Sequence, residues 1–211
     1  MTFGAGESTG APRGGFLGMK SLDEEDLAPG MGFQFHAHED IEILTYARRG
    51  TMIHQDEKGG TGLLRAGEFR CHRVLDGTRH RLMNRSFVDR AHIFHSCWAS
   101  GQDRPDPPHE KRFFPLSERT GILRLIASQD GRKASLRISR NARIFSSLLE
   151  VGNHLIHELE PGRGAWLHVV DGRVRLVDDS LGPGDGAGVA GERAVSFTAQ
   201  EGSEILLFDL A

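Results

Sequence analysis

From Gly32 to Leu210 the chain is punctuated by glycine-centred turns, and the pieces between them alternate in polarity. Alternation with a period of two is the signature of a strand with one buried face. Ile41, Ile43 and Thr45 alternate with Glu42, Leu44 and Tyr46, Arg49-Gly50 reads as a turn, and residues 51–55 read as the returning strand. Residues 58–62 form a glycine-rich hairpin loop, and residues 69–74, 78–83 and 90–98 continue the series, the last with His92, Phe94, Ser96 and Trp98 on one face. Further strand-like pieces follow at 121–128, 134–138, 153–159, 165–170, 173–177, 194–198 and 204–210, whereas 142–151 is ambiguous. Strands at roughly 8–12-residue spacing close into antiparallel sandwiches or barrels. The expected fold class is all-β, with few short helices.

Composition shifts divide the chain. Residues 1–15 hold five glycines with Ser, Thr and Pro and carry too little apolar surface to fold, so they read as a flexible tail. Residues 21–30, with Asp23-Glu24-Glu25-Asp26 and Pro29-Gly30, read as an acidic solvated loop ending in a turn. The Pro-rich stretch 101–115 reads as a linker between an N-terminal domain, 16–100, and a C-terminal one, 116–211. Gly172 in Val-Val-Asp-Gly-Arg-Val parallels Gly50 in Tyr-Ala-Arg-Arg-Gly-Thr, and the turn 181–186 parallels 64–68. The halves therefore read as weak internal repeats.

With 38% hydrophobic and 26% charged residues the chain is composed like a soluble globular protein. A net charge of −3 with scattered arginines gives no electrostatic case for nucleic acid or an anionic membrane. No stretch approaches the ~20 apolar residues of a membrane helix, and the N-terminus has no basic-then-apolar signal pattern. Two cysteines, Cys71 and Cys97, make no disulfide framework and suit a reducing cytoplasm. Each reads as a buried, inert thiol rather than a soft metal ligand.

The chemistry concentrates between residues 30 and 84. His36 and His38 stand at i and i+2, so one strand would project both to the same side. His80 follows the turn at Gly77 and can bring a third imidazole from a neighbouring strand. Three neutral imidazoles suit a divalent transition metal. Glu42 has the parity of His36 and His38, which makes it either a further ligand or base, or a structural carboxylate paired with an Arg. His72, His92 and His95 are either donors to such ligands or ordinary strand residues.

Gly30-x5-His36-x-His38-x3-Glu42 and Gly77-x2-His80-x3-Asn84 resemble the two cupin motifs. The run from His36 to Tyr46, with Gly50-Thr51, His54-Gln55-Asp56, Ala66-Gly67-Glu68-Phe69 and residues 203–210, resembles the bacterial pirin family, nearest to its quercetin (flavonol) 2,3-dioxygenase-type members. The resemblance spans about residues 16–210 and implies two cupin-type β-barrels, a bicupin, with one metal in the N-terminal barrel and none in the C-terminal one. It implies His36, His38 and His80 as ligands of a divalent metal, iron first, with nickel, manganese, zinc or copper as alternatives. In this chain Leu82 stands where the family places a glutamate ligand two residues after the third histidine. The family also carries further residues ahead of the segment matching Phe16, where this chain has its Gly-rich tail, so the first barrel is expected to lack strands or to be covered differently.

Two functions follow from the resemblance. One is a metal-binding protein of regulatory or undefined role with a protein partner, as eukaryotic pirin is a metal-dependent transcriptional co-regulator. The other is oxygen-dependent ring opening of a flavonol or similar phenol, with the metal holding the deprotonated 3-hydroxyl and a base nearby. Leu82 shifts weight toward the first, because a carboxylate is missing.

Overall fold

The computed structural model describes residues 15–37, 40–74, 77–101 and 107–211. It divides into two compact units, one ending at Phe114 and the other spanning Pro115–Ala211. The first unit contains β1 (Met19–Leu27), β2 (Gly32–Ala37), β3 (Ile41–Arg49), β4 (Thr51–Asp56), β5 (Thr61–Arg65), β6 (Glu68–Val74), β7 (Arg79–Asn84), β8 (Ala91–Ala99) and β9 (His109–Phe113). One sheet has the order β1-β8-β3-β6-β9 and the other β2-β7-β4-β5.

The second unit begins with a one-turn helix, α1 (Leu116–Arg119). Its strands are β10 (Arg124–Ser128), β11 (Leu136–Arg137), β12 (Ala142–Leu149), β13 (His154–Glu158), β14 (Gly164–Asp171), β15 (Val174–Leu176), β16 (Asp179–Leu181), β17 (Gly186–Ala190), β18 (Ala194–Ala199) and β19 (Ser203–Leu210). The sheets are β11-β10-β12-β19-β14-β17 and β13-β18-β15-β16. Both units are cupin-type barrels, each built from two sheets.

The repeat read from two glycine turns extends through the topology. The order β2-β7-β4-β5 recurs as β13-β18-β15-β16, and β1-β8-β3-β6 recurs as β12-β19-β14-β17. Gly50 and Gly172 turn their chains with φ of 84° and 73°. A Cβ on Gly172 would stand 2.2 Å from the Gly202 carbonyl oxygen, so the turn needs glycine for space as well as for backbone freedom. The amide of Gly67 donates to Ala47 and that of Gly184 donates to Val169, which fixes the matching turns against the matching strands.

Two expectations are corrected. Residues 21–30 are not an acidic loop, because most of them belong to β1, which pairs with β8. The four acids alternate about the strand. Glu24 accepts from His92 at 2.7 Å and Asp26 from Arg90 at 3.0 Å, while Leu22 is fully buried. Within the stretch 101–115 read as a linker, His109–Phe113 is β9 and completes the sheet beside β6. Residues 102–106, like the expected tail 1–14, lie outside the described residues.

The second unit closes around an apolar core that includes Leu149, Leu167, Val174, Leu176, Val195, Phe197, Ile205 and Leu207. Beside this core, Asp209 is wholly buried. It accepts hydrogen bonds from Arg163 and from His157 Nε2 at 2.9 Å. Burial pushes its carboxyl up, but the bonds from His157 and Arg163 outweigh that and hold it below its ordinary value. Asp209→Asn would leave Arg163 buried without its counter-charge, and unfolding free energy is expected to fall by about 3–5 kcal/mol, read by denaturant titration. The depressed carboxyl stabilises the fold above the unfolded value of 3.8 and loses that contribution as pH falls through the lower folded value. The natural protein should therefore lose stability more steeply in acid than Asp209→Asn does.

Candidate functional site

A cavity of about 250 Å³ lies between the two sheets of the first unit. Its polar lining is dominated by imidazoles: His36 on β2, His54 on β4, His72 on β6, His80 on β7 and His95 on β8. β7 runs between β2 and β4, and this places His80 at the centre. His80 stands opposite His36 in one register and opposite Asp56 in the other, while Leu82 stands opposite Phe33 and His54. The His36 and His80 ring centroids are 4.8 Å apart. His72 reaches the group from the facing sheet, 4.8 Å from the His54 ring and 5.4 Å from the His80 ring.

A bulge aims the β2 side chains. Its register slips between Phe33 and His36, so two residues that simple alternation would put on opposite faces both line the cavity. Strand parity alone therefore does not describe β2. The strand ends at Ala37; His38 lies outside the described residues, and Asp40, at φ 46°, precedes β3. The parity argument for Glu42 fails at this break. Ile43 and Thr45 line the cavity, whereas Glu42 is buried on the other face of β3, beside Cys71.

Hydrogen bonds fix tautomers. A carbonyl can only accept, so His36 Nδ1 carries its proton toward Gln34 O at 2.7 Å, and the neutral tautomer with that bond has its lone pair on Nε2. Arg70 can only donate, so His54 Nδ1 accepts from it at 3.2 Å. His54 Nε2 then carries the proton and donates to His80 Nδ1 at 3.1 Å. Burial first, then the Arg70 charge, lowers His54 to about 3 and His72 to about 2. Both imidazoles are neutral at physiological pH. Cys97 also lines the cavity, but burial lifts its thiol to about 11, and Cys71 is pushed up further by burial and by Glu42. Neither offers a thiolate at neutral pH.

One ligand atom from each of His54, His72 and His80 falls within 4.8 Å of the others. Two nitrogens on one ion at roughly 2.0–2.1 Å and a tetrahedral angle stand about 3.3 Å apart, close to the 3.1 Å between His54 and His80. The donor set thus fits a divalent metal in number and reach, while His54 must first shed its Nε2 proton to ligate. The charge of the set is less favourable: Leu82 supplies no carboxylate beside His80, and Arg70 adds a cation. Sequence reasoning singled out His36 and His80, left His72 and His95 undecided, and missed His54 and Arg70 as cavity groups. His92 faces away and bonds Glu24. The signal for His54 was its i+2 spacing from Met52, which puts both on the buried face of β4 after the Gly50 turn.

In the second unit the positions equivalent to His54 and His80 are apolar, while that of His36 is held by His157, which bonds Asp209. Leu176 pairs with Phe197 as His54 pairs with Leu82, and Val195 occupies the place of His80. No other group of three or more His, Cys, Asp or Glu among the described residues is placed to share a metal.

A cupin-type barrel whose inter-sheet cavity gathers imidazoles defines a cupin of the metal-site type. Matches to known proteins sharpen this: residues 10–98 match the Pirin family model and residues 125–210 the model of the quercetinase C-terminal cupin domain. The chain is 31% identical to a quercetin 2,3-dioxygenase of Escherichia coli K12 over 93% of its own length and 84% of that protein. It is 30% identical to a pirin-like protein of Caulobacter vibrioides over 92% and 83% of the two lengths. Its fold matches the crystal structure of the E. coli bacterial pirin YhhW in complex with nickel(II), with a TM-score of 0.85, 31% identity and coverage of 93% and 84%. The chain belongs to the pirin family.

The shifted imidazoles give a testable pH signature. In the unfolded chain His54 and His72 take up protons near 6.5, but in the fold only near 3 and 2. Stability is therefore expected to fall as pH drops from 6.5 toward 3, because the unfolded state binds the extra protons. Histidine NMR titration should show both rings neutral throughout that window, and His72→Leu should flatten the stability slope.

Proposed function

We propose that this protein is a pirin-type metal-binding bicupin of regulatory role, holding a divalent metal in the first barrel with His80 as the central ligand. The observation that carries the reading is the convergence of imidazoles from both sheets on His80. Two overlapping sets share it. The family pattern names His36, His38 and His80, and the geometry adds His54 and His72. His36 supports the first set through its proton-free Nε2, held in orientation by Gln34. The second set is supported by the 4.8 Å spread of its ligand atoms, and a metal there would replace the proton shared by His54 and His80. The nickel complex of the E. coli pirin supports nickel beside iron as the resident ion, with manganese, zinc and copper behind them. The two free cysteines fit a reducing cytoplasm, and no described helix is long and apolar enough to cross a membrane.

Elemental analysis of freshly purified protein tests this. His80→Ala is expected to remove bound metal. Loss in His36→Ala and His38→Ala, with retention in His54→Ala and His72→Ala, selects the family set, and the reverse selects the other. Unchanged metal in His80→Ala would place the site elsewhere.

The second reading is a flavonol 2,3-dioxygenase, favoured by the activity named for the E. coli relative at 31% identity. Against it stands Leu82, whose side chain makes the cavity wall drier and leaves no carboxylate to lower the charge of the metal site. Metal-loaded protein is expected to bleach quercetin slowly or not at all. Leu82→Glu is expected to lower the metal dissociation constant, measured against a competing chelator in one buffer. Equal constants would show that another group already meets that need.

A further inference from the structure

We infer that Arg70 anchors a small organic anion, a carboxylate or phenolate on an apolar body, inside the first barrel. The anion site shares the cavity of the proposed metal centre but stands on different residues, so it is separable from that reading.

Arg70 and His72 stand at i and i+2 on β6 and both line the cavity. A guanidinium carries five N–H donors and never an acceptor. Arg70 directs one to His54 Nδ1 at 3.2 Å, its one hydrogen bond among the described residues. No described carboxylate forms an ion pair with it. Asp56 acts on it through space, while the Asp56 carboxylate accepts the amides of Lys58 and Gly60 in its own turn. A guanidinium is not deprotonated in proteins, so Arg70 is a cation in the cavity wall.

The rest of the lining does not neutralise it. The imidazoles of His54 and His72 beside it bring no anionic oxygen. From β1, Asp23 and Glu25 line the same cavity without reaching the guanidinium, and desolvation drives Asp23 toward its neutral form. A half-buried cation with spare donors and no counter-ion is poorly satisfied by protein alone. Phe33, Ile43, Leu64 and Leu82 complete the wall with apolar surface. A cation at one point of a small, mostly apolar cavity selects a ligand with one oxyanion and an apolar remainder. Such an oxyanion would also supply the negative charge that Leu82 withholds.

The test uses full-length protein stripped of metal by chelation and titrated calorimetrically with benzoate, 4-nitrophenolate and neutral benzamide. Both anions are expected to bind, and benzamide about tenfold more weakly or worse, the size of one charge-assisted hydrogen bond. Arg70→Gln and Arg70→Met should each weaken the anions by about tenfold or more while leaving benzamide unchanged, and Arg70→Lys should keep part of the difference. Thermal melts identify variants that fold. If neither neutral variant folds, the wild-type preference for anions over benzamide and its partial retention in Arg70→Lys decide. Equal binding of anions and benzamide by the natural protein, undiminished anion binding in a folded neutral variant, or no anion binding at all would each overturn the proposal. Anion binding that persists when metal analysis fails leaves Arg70 standing alone, and metal binding without anion binding leaves only the metal centre.

Discussion

The site depends on the placement of β7 between β2 and β4. Backbone pairing on both sides fixes His80 in two registers at once, opposite His36 on one strand and next to His54 across the other. A one-residue slip would turn His80 and Leu82 out of the cavity together, because side chains alternate faces. The glycine turns matter for this reason: they set strand ends, and strand ends set register. The bulge in β2 changes the register beside β7, and it brings Phe33 and His36 to the same wall.

Electrostatics follow from that packing. Imidazoles crowded between sheets lose water, and Arg70 stands among them, so protonation is doubly opposed. Neutral rings have lone pairs to give, which favours a metal, yet the same guanidinium disfavours a dication. An anion entering with the metal, as proposed, would reconcile the two tendencies, and the barrel would then select a combination of ligands rather than one ion.

Much of the fold was legible because each strand carries its own alternation. β3, β8 and β19 could be read residue by residue, and the equivalence of Gly50 and Gly172 announced the repeat. β1 was hidden because four consecutive acids look like a solvated loop; only the partners His92 and Arg90, more than sixty positions away, make them strand residues. The cavity histidines on β2 and β7 were visible through a spacing motif. His54 and Arg70 were not, and His72 stayed undecided, since each looks unremarkable on its own strand and acquires meaning only through cross-sheet proximity. Glu42 stayed open between a ligand and a structural carboxylate, because parity does not carry across the break between β2 and β3.

The second barrel repeats the strand order of the first but fills the corresponding interior with Leu176, Val195 and Phe197. Apolar side chains there contribute burial that the first barrel gives up to keep a lined cavity. Amide hydrogens inside the two barrels should consequently report different opening free energies, with β4, β6 and β7 exchanging through smaller local fluctuations than β14 and β19. On that expectation the duplicated architecture separates into a stiffer copy and a more yielding one, and a barrel that yields can admit a ligand to an enclosed interior.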